Sequence, residues 1–278
     1  MTAAIRVPCA YQGGKQRVAK EIVDILLNGS GPETKFYDLC CGSGAISIEL
    51  VNRGIDPSRI VMLDRSSWGS FWFAVGSGTF DMNVFDAFLS EVPEDKRKVK
   101  AHMIELAERP VGMHEAEMYP VLQSCAFGGK QIWYEGGRWV NPFFRDYWEP
   151  TEMSVRRSPA NPMQPSPCEL RRRVAVIVNR MQGVTCVKAD IESILVGGSL
   201  PCDAVVYVDP PYEGTTGYAY GFDVRGFATR FRQSNDVPLY VSEGIPLAED
   251  SVRLIFGGAK GGITGKRSGR HQEWLSSL

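Results

Sequence analysis

Residues 35–64 constrain the fold more than any other stretch of the chain. KFYDLC (35–40) is a short strand-like run that ends in the glycine loop CGSGA (41–45). ISIELVNRG (46–54) reads as a helix with a glycine stop, and RIVMLD (59–64) reads as a second strand. Strand, glycine loop, helix and strand in that order open a doubly wound α/β sheet, since parallel neighbours need a helical crossover between them. Upstream, QRVAKEIVDILL (16–27) sets Val18, Ile22, Ile25 and Leu26 on one helical face before NGSG stops it.

The parallel-sheet rhythm breaks off from about Ser66 to Pro167, where aromatic clusters, the charged stretch EVPEDKRKVK and the proline-rich SPANPMQPSPC follow one another. Within this stretch QIWYEGGRWVNP (131–142) places Glu135-Gly136-Gly137 between two aromatic arms, a β-hairpin signal. The rhythm resumes with a helix at CELRRRVAVIVNRM and strands at VTCVKAD and DAVVYVD. A helix at GFATRFRQ and strands at PLYVSEG, VRLIF and HQEWLSS complete it. The expected architecture is α/β, with one Rossmann-like domain formed by residues 1–65 and 173–278. A mainly helical module with a β-hairpin, residues 66–172, interrupts it. A chain of 278 residues suits that division.

Net charge is −1, so the surface as a whole is not basic. Residues 124–173 nevertheless carry Lys130, Arg138, Arg145, Arg156, Arg157, Arg171, Arg172 and Arg173 against five acidic residues. Arg253, Lys260, Lys266, Arg267 and Arg270 make a second basic run. A local patch of this kind suffices to engage phosphates, although such runs also serve as plain solvated surface. No apolar run is long enough to cross a bilayer, and MTAAIRVPCAYQGG lacks a signal-peptide core, so the expectation is a cytoplasmic protein with no membrane partner. Seven cysteines, two of them adjacent at 40 and 41, do not suggest a disulfide framework, and without a CxxC pair no metal is expected.

Three clusters point to a nucleoside cofactor. In Asp38-Leu39-Cys40-Cys41-Gly42-Ser43-Gly44 the glycines let backbone N–H groups approach a ligand at a helix N-terminus. Asp64, at the end of the second strand, is placed to accept from ribose hydroxyls. Asp190 ends another strand, where it can hold an adenine amino group or cap the next helix. Tyr11-Gln12-Gly13-Gly14-Lys15 precedes the first helix; Gly14 and Lys15 suit a carboxylate, and Tyr11 suits an adenine ring.

The tetrapeptide Asp209-Pro210-Pro211-Tyr212 directly follows the apolar strand AVVYV. Two prolines fix φ twice and remove two donors, which leaves carbonyls free to accept. An exocyclic amine is a poor nucleophile because its lone pair delocalises into the ring. Accepting both of its N–H bonds, at Asp209 and at the Pro210 carbonyl, helps the nitrogen pyramidalise. Tyr212 offers a face on which a base stacks. Such a site fits transfer of a group in line with the amine, by positioning and electrostatics.

Together these pieces resemble the Dam-like, class alpha DNA adenine N6-methyltransferases. The resemblance runs in order through YQGGK (11–15), CCGSG (40–44), Asp64, a recognition region, Asp190 and DPPY (209–212). It includes FGGK (127–130) with WYEGGRWVNPFF after it, and GKRSGRHQEWLSS with Arg270 and Glu273 near the C-terminus. Cys40 stands where the family has phenylalanine, FGGK replaces its FNG pattern, and Ser66-Ser67-Trp68-Gly69 departs from its asparagine-containing pattern. The resemblance implies S-adenosylmethionine as cofactor and N6 of adenine in double-stranded DNA as target, with base flipping. It implies Asp209, Pro210, Pro211 and Tyr212 as the catalytic group. It makes Lys130, Trp133, Tyr134, Arg138 and Trp139 candidates for DNA contact, with a restriction-modification or orphan role in a bacterial or phage-infected cell. RNA or other exocyclic-amine methylation, and a silent DNA-binding relative, stand as alternatives. A hydride-transferring enzyme is disfavoured because Ala45-Ile46-Ser47 follows Gly44 in place of the GxGxxG pattern.

Overall fold

A computed structural model describes residues 4–212, 221–254 and 272–278, with the backbone alone of 259–261 and 267–270. It is mixed α/β. Helix α1 (Ala19–Leu27) leads into strand β1 (Phe36–Leu39), helix α2 (Ala45–Asn52) and strand β2 (Ile60–Leu63). The expected strand–loop–helix–strand opening is therefore present. Four helices follow: α3 (Ser67–Ser77), α4 (Met82–Ser90), α5 (Val99–Glu108) and α6 (Glu115–Cys125). The hairpin is β3 (Trp133–Glu135) and β4 (Arg138–Val140), before α7 (Pro167–Arg180) and β5 (Thr185–Val187). Then come α8 (Ser193–Val196), β6 (Val205–Val208), α9 (Val224–Ser234), β7 (Leu239–Glu243) and β8 (Val252–Leu254). The chain ends with β9 (Ala259–Gly261), β10 (Arg267–Arg270) and β11 (Glu273–Ser277).

Seven strands form one sheet in the order β5-β2-β1-β6-β7-β11-β8. The first five run parallel, and β11 is antiparallel to both β7 and β8. Both central strands, FYDL and VVYV, are buried along their whole length, which is why they read as unbroken runs. Alternate residues feed the two faces. Phe36, Ile60, Met62, Val205 and Tyr207 join one hydrophobic cluster, while Tyr37, Leu39, Leu63, Val206 and Val208 join the other with Phe227 and Phe231 of α9.

The segment between β2 and β5 is helical with one hairpin, as expected, and its core is continuous with the first sheet face. Trp68, Phe71, Trp72, Phe85, Met103, Tyr119, Trp139 and Val174 all belong to that cluster. Helix α3 lies directly against β5. A Cβ on Gly69 would sit 2.2 Å from the Asp64 carbonyl oxygen, and one on Gly76 would sit 2.0 Å from that of Val184. The two glycines, seven apart on the helix, thus let its backbone meet the strand ends. The departure at Trp68-Gly69 therefore has a packing reason. The hairpin turn is also glycine-dependent: Gly136 (φ 59°) and Gly137 (φ 81°) both adopt the left-handed conformation that a tight two-residue loop needs. No helix among the described residues is long and apolar enough to cross a membrane.

Candidate active site

The direction of the strand order reverses beside β1, and a ligand crevice opens at the carboxyl ends of strands at such a point. Asp38 lies in β1, Asp64 follows β2, Asp190 follows β5 and Asp209 follows β6, so four carboxylates reach the same edge. A cavity of about 260 Å³ opens there. Nine of the ten residues expected to hold the cofactor line it: Tyr11, Gly14, Lys15, Asp38, Cys40, Gly42, Ser43, Asp64 and Asp190. Asp209 and Pro211 share its wall.

Gly44 is outside the lining, and its glycine has another cause. Its φ is +72°, and a Cβ there would come within 2.3 Å of the Trp72 ring. Trp72 in turn donates its indole N–H to the Gly42 carbonyl at 2.9 Å. The glycine loop is thus buttressed from below by a buried tryptophan of α3. Above it, a Cβ on Gly42 (φ +48°) would meet the Tyr11 ring at 2.9 Å.

The carboxylates behind the loop are engaged by the protein. Asp64 accepts from the Gly42 N–H at 2.8 Å with one oxygen, and from the Ser66 N–H and hydroxyl with the other. It ties the loop to β2, and the oxygen facing Gly42 keeps a second lone pair. Asp38 accepts from the Ser47 hydroxyl at 2.6 Å and from its N–H at 3.2 Å. Burial raises its carboxyl to about 6, against the opposing effect of the Ser47 bonds. Burial also raises Asp64 and Cys40, and Asp64 itself pushes the Cys40 thiol further up. Cys40 holds φ at +60°, a strained conformation for a residue with a side chain. Asp190 accepts from Arg65 at 2.8 Å and from the Glu192 N–H at 3.0 Å while facing the cavity; the residue that precedes α8 is Glu192, and no side chain caps that helix.

Asp209 begins the tetrapeptide, and its N–H donates to the Leu39 carbonyl at 3.1 Å, which pins the end of β6 to the end of β1. Its carboxylate is 2.5 Å from the Lys15 ammonium. Lys15 is only 5 % exposed, lies 3.5 Å from Glu273 and sits 4.7 Å from the centre of the Tyr212 ring. The Tyr212 hydroxyl donates to Glu273. Burial pushes Asp209 up to about 7 in spite of Lys15, with Glu273 adding to the rise. Burial and Asp209 likewise raise the Tyr212 phenol. Lys15 is thus satisfied by carboxylates of the chain itself.

Comparison with known proteins assigns no family: no family model matches the chain, and no curated protein matches it.

The hairpin residues divide into two sets. Trp139 is buried, stacked on Tyr119 with ring centres 6.0 Å apart and edge-on to Tyr134 at 5.3 Å. The Tyr134 N–H donates to the Ser67 hydroxyl, so this pair anchors the hairpin to α3 and α6. Lys130 and Arg138 are exposed and Trp133 is half-buried. Of the eight basic residues in 124–173, Arg171 pairs with Asp86, and Arg172 and Arg173 pair with Glu169. Arg145, Arg156 and Arg157 donate to backbone carbonyls. Lys130 and Arg138 have no such partner among the described residues. Of the basic tail, Lys266 and the side chains of Lys260, Arg267 and Arg270 lie outside the described residues.

The cavity also contains residues that the sequence did not single out: Arg65, Gln131, Glu192, Phe222 and Asp223. Gln131 comes two residues before the hairpin, and only its adjacency to FGGK could have signalled it. Six carboxylates (Asp38, Asp64, Asp190, Glu192, Asp209 and Asp223) line the cavity against two cations, Lys15 and Arg65. Among the described residues, no group of three or more His, Cys, Asp or Glu is arranged to hold a metal ion.

Proposed function

We propose that this chain is an S-adenosylmethionine-dependent methyltransferase acting on N6 of adenine in double-stranded DNA. The observation that carries the reading is the meeting of DPPY and the glycine loop. Asp209 lies in the wall of the same acidic cavity that is lined by Gly42, Asp38 and Asp64. The carboxylates in the lining outnumber its cations even with Glu192 paired to Arg230, and that excess disfavours a pyrophosphate and suits a ligand bearing a sulfonium and an ammonium. That sign of charge disfavours a dinucleotide. Tyr11 and the glycine loop supply an aromatic face and backbone donors for the nucleoside end.

When bound, S-adenosylmethionine supplies an electrophilic methyl group. The chain's own residues act on the amine. Asp209 accepts one N–H through a carboxylate oxygen, the Pro210 carbonyl accepts the other, and Tyr212 holds the base by stacking. The resulting orientation, together with the electrostatics of the buried carboxylate, lowers the barrier. Extruding the base costs a few kcal/mol, which contacts elsewhere on the duplex must offset. Exposed Lys130 and Arg138 and half-buried Trp133 on the hairpin side support such contacts, with Arg138 suited to a guanine edge. In this reading residues 66–172 are the target-recognition module.

The test is transfer of labelled methyl from S-adenosylmethionine to duplex DNA, followed by sequencing for N6-methyladenine. Asp209→Ala is expected to abolish transfer while retaining cofactor binding. Label entering RNA or protein and not DNA would overturn the substrate, and an active Asp209→Ala would overturn the role of the tetrapeptide.

A further inference from the structure

The proposed chemistry uses Asp209, Pro210 and Tyr212, but it leaves a buried carboxylate beside them without a task. Glu273 opens β11, the strand inserted antiparallel between β7 and β8, and it is 2 % exposed. Its carboxylate accepts from the Tyr212 hydroxyl and stands 3.5 Å from the Lys15 ammonium. A buried charge is costly unless paired, so a carboxylate kept here needs a reason beyond packing. Lys15 is shared: it is 2.5 Å from one oxygen of Asp209, and it lies over the Tyr212 ring.

We propose that Glu273 is the positioning residue of this site, holding the Tyr212 ring and the Lys15 ammonium in place and thereby setting the charge on Asp209. Three residues of separate origin meet here. Lys15 comes from the segment before α1, Tyr212 from the tetrapeptide after β6, and Glu273 from the closing strand. Lys15 engages Oδ1 of Asp209, and no second side chain bonds that carboxylate among the described residues, which leaves Oδ2 for an incoming N–H donor. Removing Glu273 frees the Tyr212 ring to turn and lets Lys15 move wholly onto Asp209. The inference rests on the methylation reading for its consequence on rate, but its electrostatic part can be measured without any substrate.

The groups facing Asp209 are Lys15 before α1, Glu273 on β11, Asp38 on β1, Cys40 in the glycine loop, and Tyr207 and Tyr212 on its own segment. Lys15 favours the ionised form of Asp209, while Glu273 and Asp38 oppose it. The experiment follows the Asp209 carboxyl carbon by NMR against pH, assigned with Asp209→Asn, in the whole protein. Glu273→Gln keeps an acceptor for Tyr212 and removes the charge, so the Asp209 midpoint is expected to fall; Lys15→Met is expected to raise it. In the methylation assay Glu273→Gln is expected to move the rise of kcat with pH to lower pH along with the Asp209 midpoint, and Glu273→Ala, which also removes the acceptor for Tyr212, to lower kcat by up to about a hundredfold. Cofactor affinity is expected to stay within about twofold, since Glu273 does not line the cavity. Combining Glu273→Ala with Tyr212→Phe should cost no more than the worse single change if the two act as one unit.

An Asp209 midpoint and a pH–rate profile that Glu273→Gln leaves unmoved would overturn the inference, whatever happens to the melting temperature. If Glu273→Ala does not fold, the Glu273→Gln titration decides. If wild-type protein methylates no DNA yet the titration shifts occur, the methylation reading falls and the electrostatic role of Glu273 stands.

Discussion

The chain contains two Gly-Gly-Lys segments, and they have opposite fates. In residues 11–15 the lysine is buried against Asp209 and Glu273; in 127–130 it is exposed and without a partner among the described residues. The segments touch each other, for the Gln12 N–H donates to the Gly129 carbonyl at 2.8 Å. Local chemistry is nearly the same in both, with left-handed glycines at Gly13 (φ 76°), Gly128 (φ 65°) and Gly129 (φ 71°). What separates them is the next element. Lys15 leads into α1, which packs on α2 behind the glycine loop, whereas Lys130 leads into a hairpin at the surface. A glycine turn therefore positions a lysine, but the surrounding charges decide its work.

The largest effect expected is at Lys15. Replacing it with Met removes the cation between buried Glu273 and partly exposed Asp209, and because Asp209 then takes a proton the loss should stay below about 3 kcal/mol, the lower end for breaking a buried pair. In the methylation assay the variant should lose about a hundredfold or more in kcat at pH 7, because Asp209 then holds its proton. The wild-type profile carries the same logic. A raised carboxyl, near 7 in the fold against 3.8 unfolded, means that the native state binds more protons between those values. Stability contributed by protonated Asp209 is therefore lost as pH rises from about 4 to 7, while activity should rise through about 7 as the acceptor ionises. Denaturant melts and rate measurements across that window would show the two trends running in opposite directions. A lysine variant with unaltered stability and rate would erase the contrast between the segments.

Much of the scaffold was legible because its signals are local. Strands buried on both faces are short apolar runs, and β1 and β6 fall where FYDL and VVYV stand. The glycine pair at 136–137 encodes its own turn, so the hairpin was legible too. The meeting of Asp38, Asp64 and Asp190 at one cavity follows from strand ends, a rule of α/β topology that needs no side-chain detail. The remainder depends on contacts distant in sequence. Gly44 resembled a ligand-facing glycine, yet it is set by Trp72, a residue that read as part of an insert. Lys15 resembled a carboxylate receptor, and nothing local announces Asp209, 194 residues later, as its partner. Glu273 meets Tyr212 only because β11 inserts beside β7, a placement that no periodicity in EWLSS encodes.

A smaller effect separates the glycines. Gly44→Ala adds a Cβ that cannot fit beside Trp72, so it should destabilise by about 2–4 kcal/mol, the combined scale of overpacking and backbone strain. Gly128 also holds a positive φ, but open space surrounds it, and Gly128→Ala should cost only about 1 kcal/mol. Thermal melts of the two variants would rank them. Equal losses would mean that Trp72 yields, and that the glycine loop is no more tightly supported than the surface turn.

The smallest change in the fold, and the sharpest probe of the second segment, is Lys130→Ala. The side chain is exposed and makes no ion pair among the described residues, so stability should stay within about 0.5 kcal/mol. If the hairpin side faces duplex DNA, losing one phosphate contact should weaken binding about equally for all sequences and reduce the salt slope by about one. Arg138→Ala supplies the control, since an arginine reading a base edge should lose discrimination at one position at a cost of about 1–3 kcal/mol. DNA binding as a function of salt, on matched and mismatched duplexes, distinguishes the two. Should Lys130→Ala leave both affinity and salt slope untouched, the exposed segment has no electrostatic task. The contrast between the lysines would then be one between a functional cation and a solvated one.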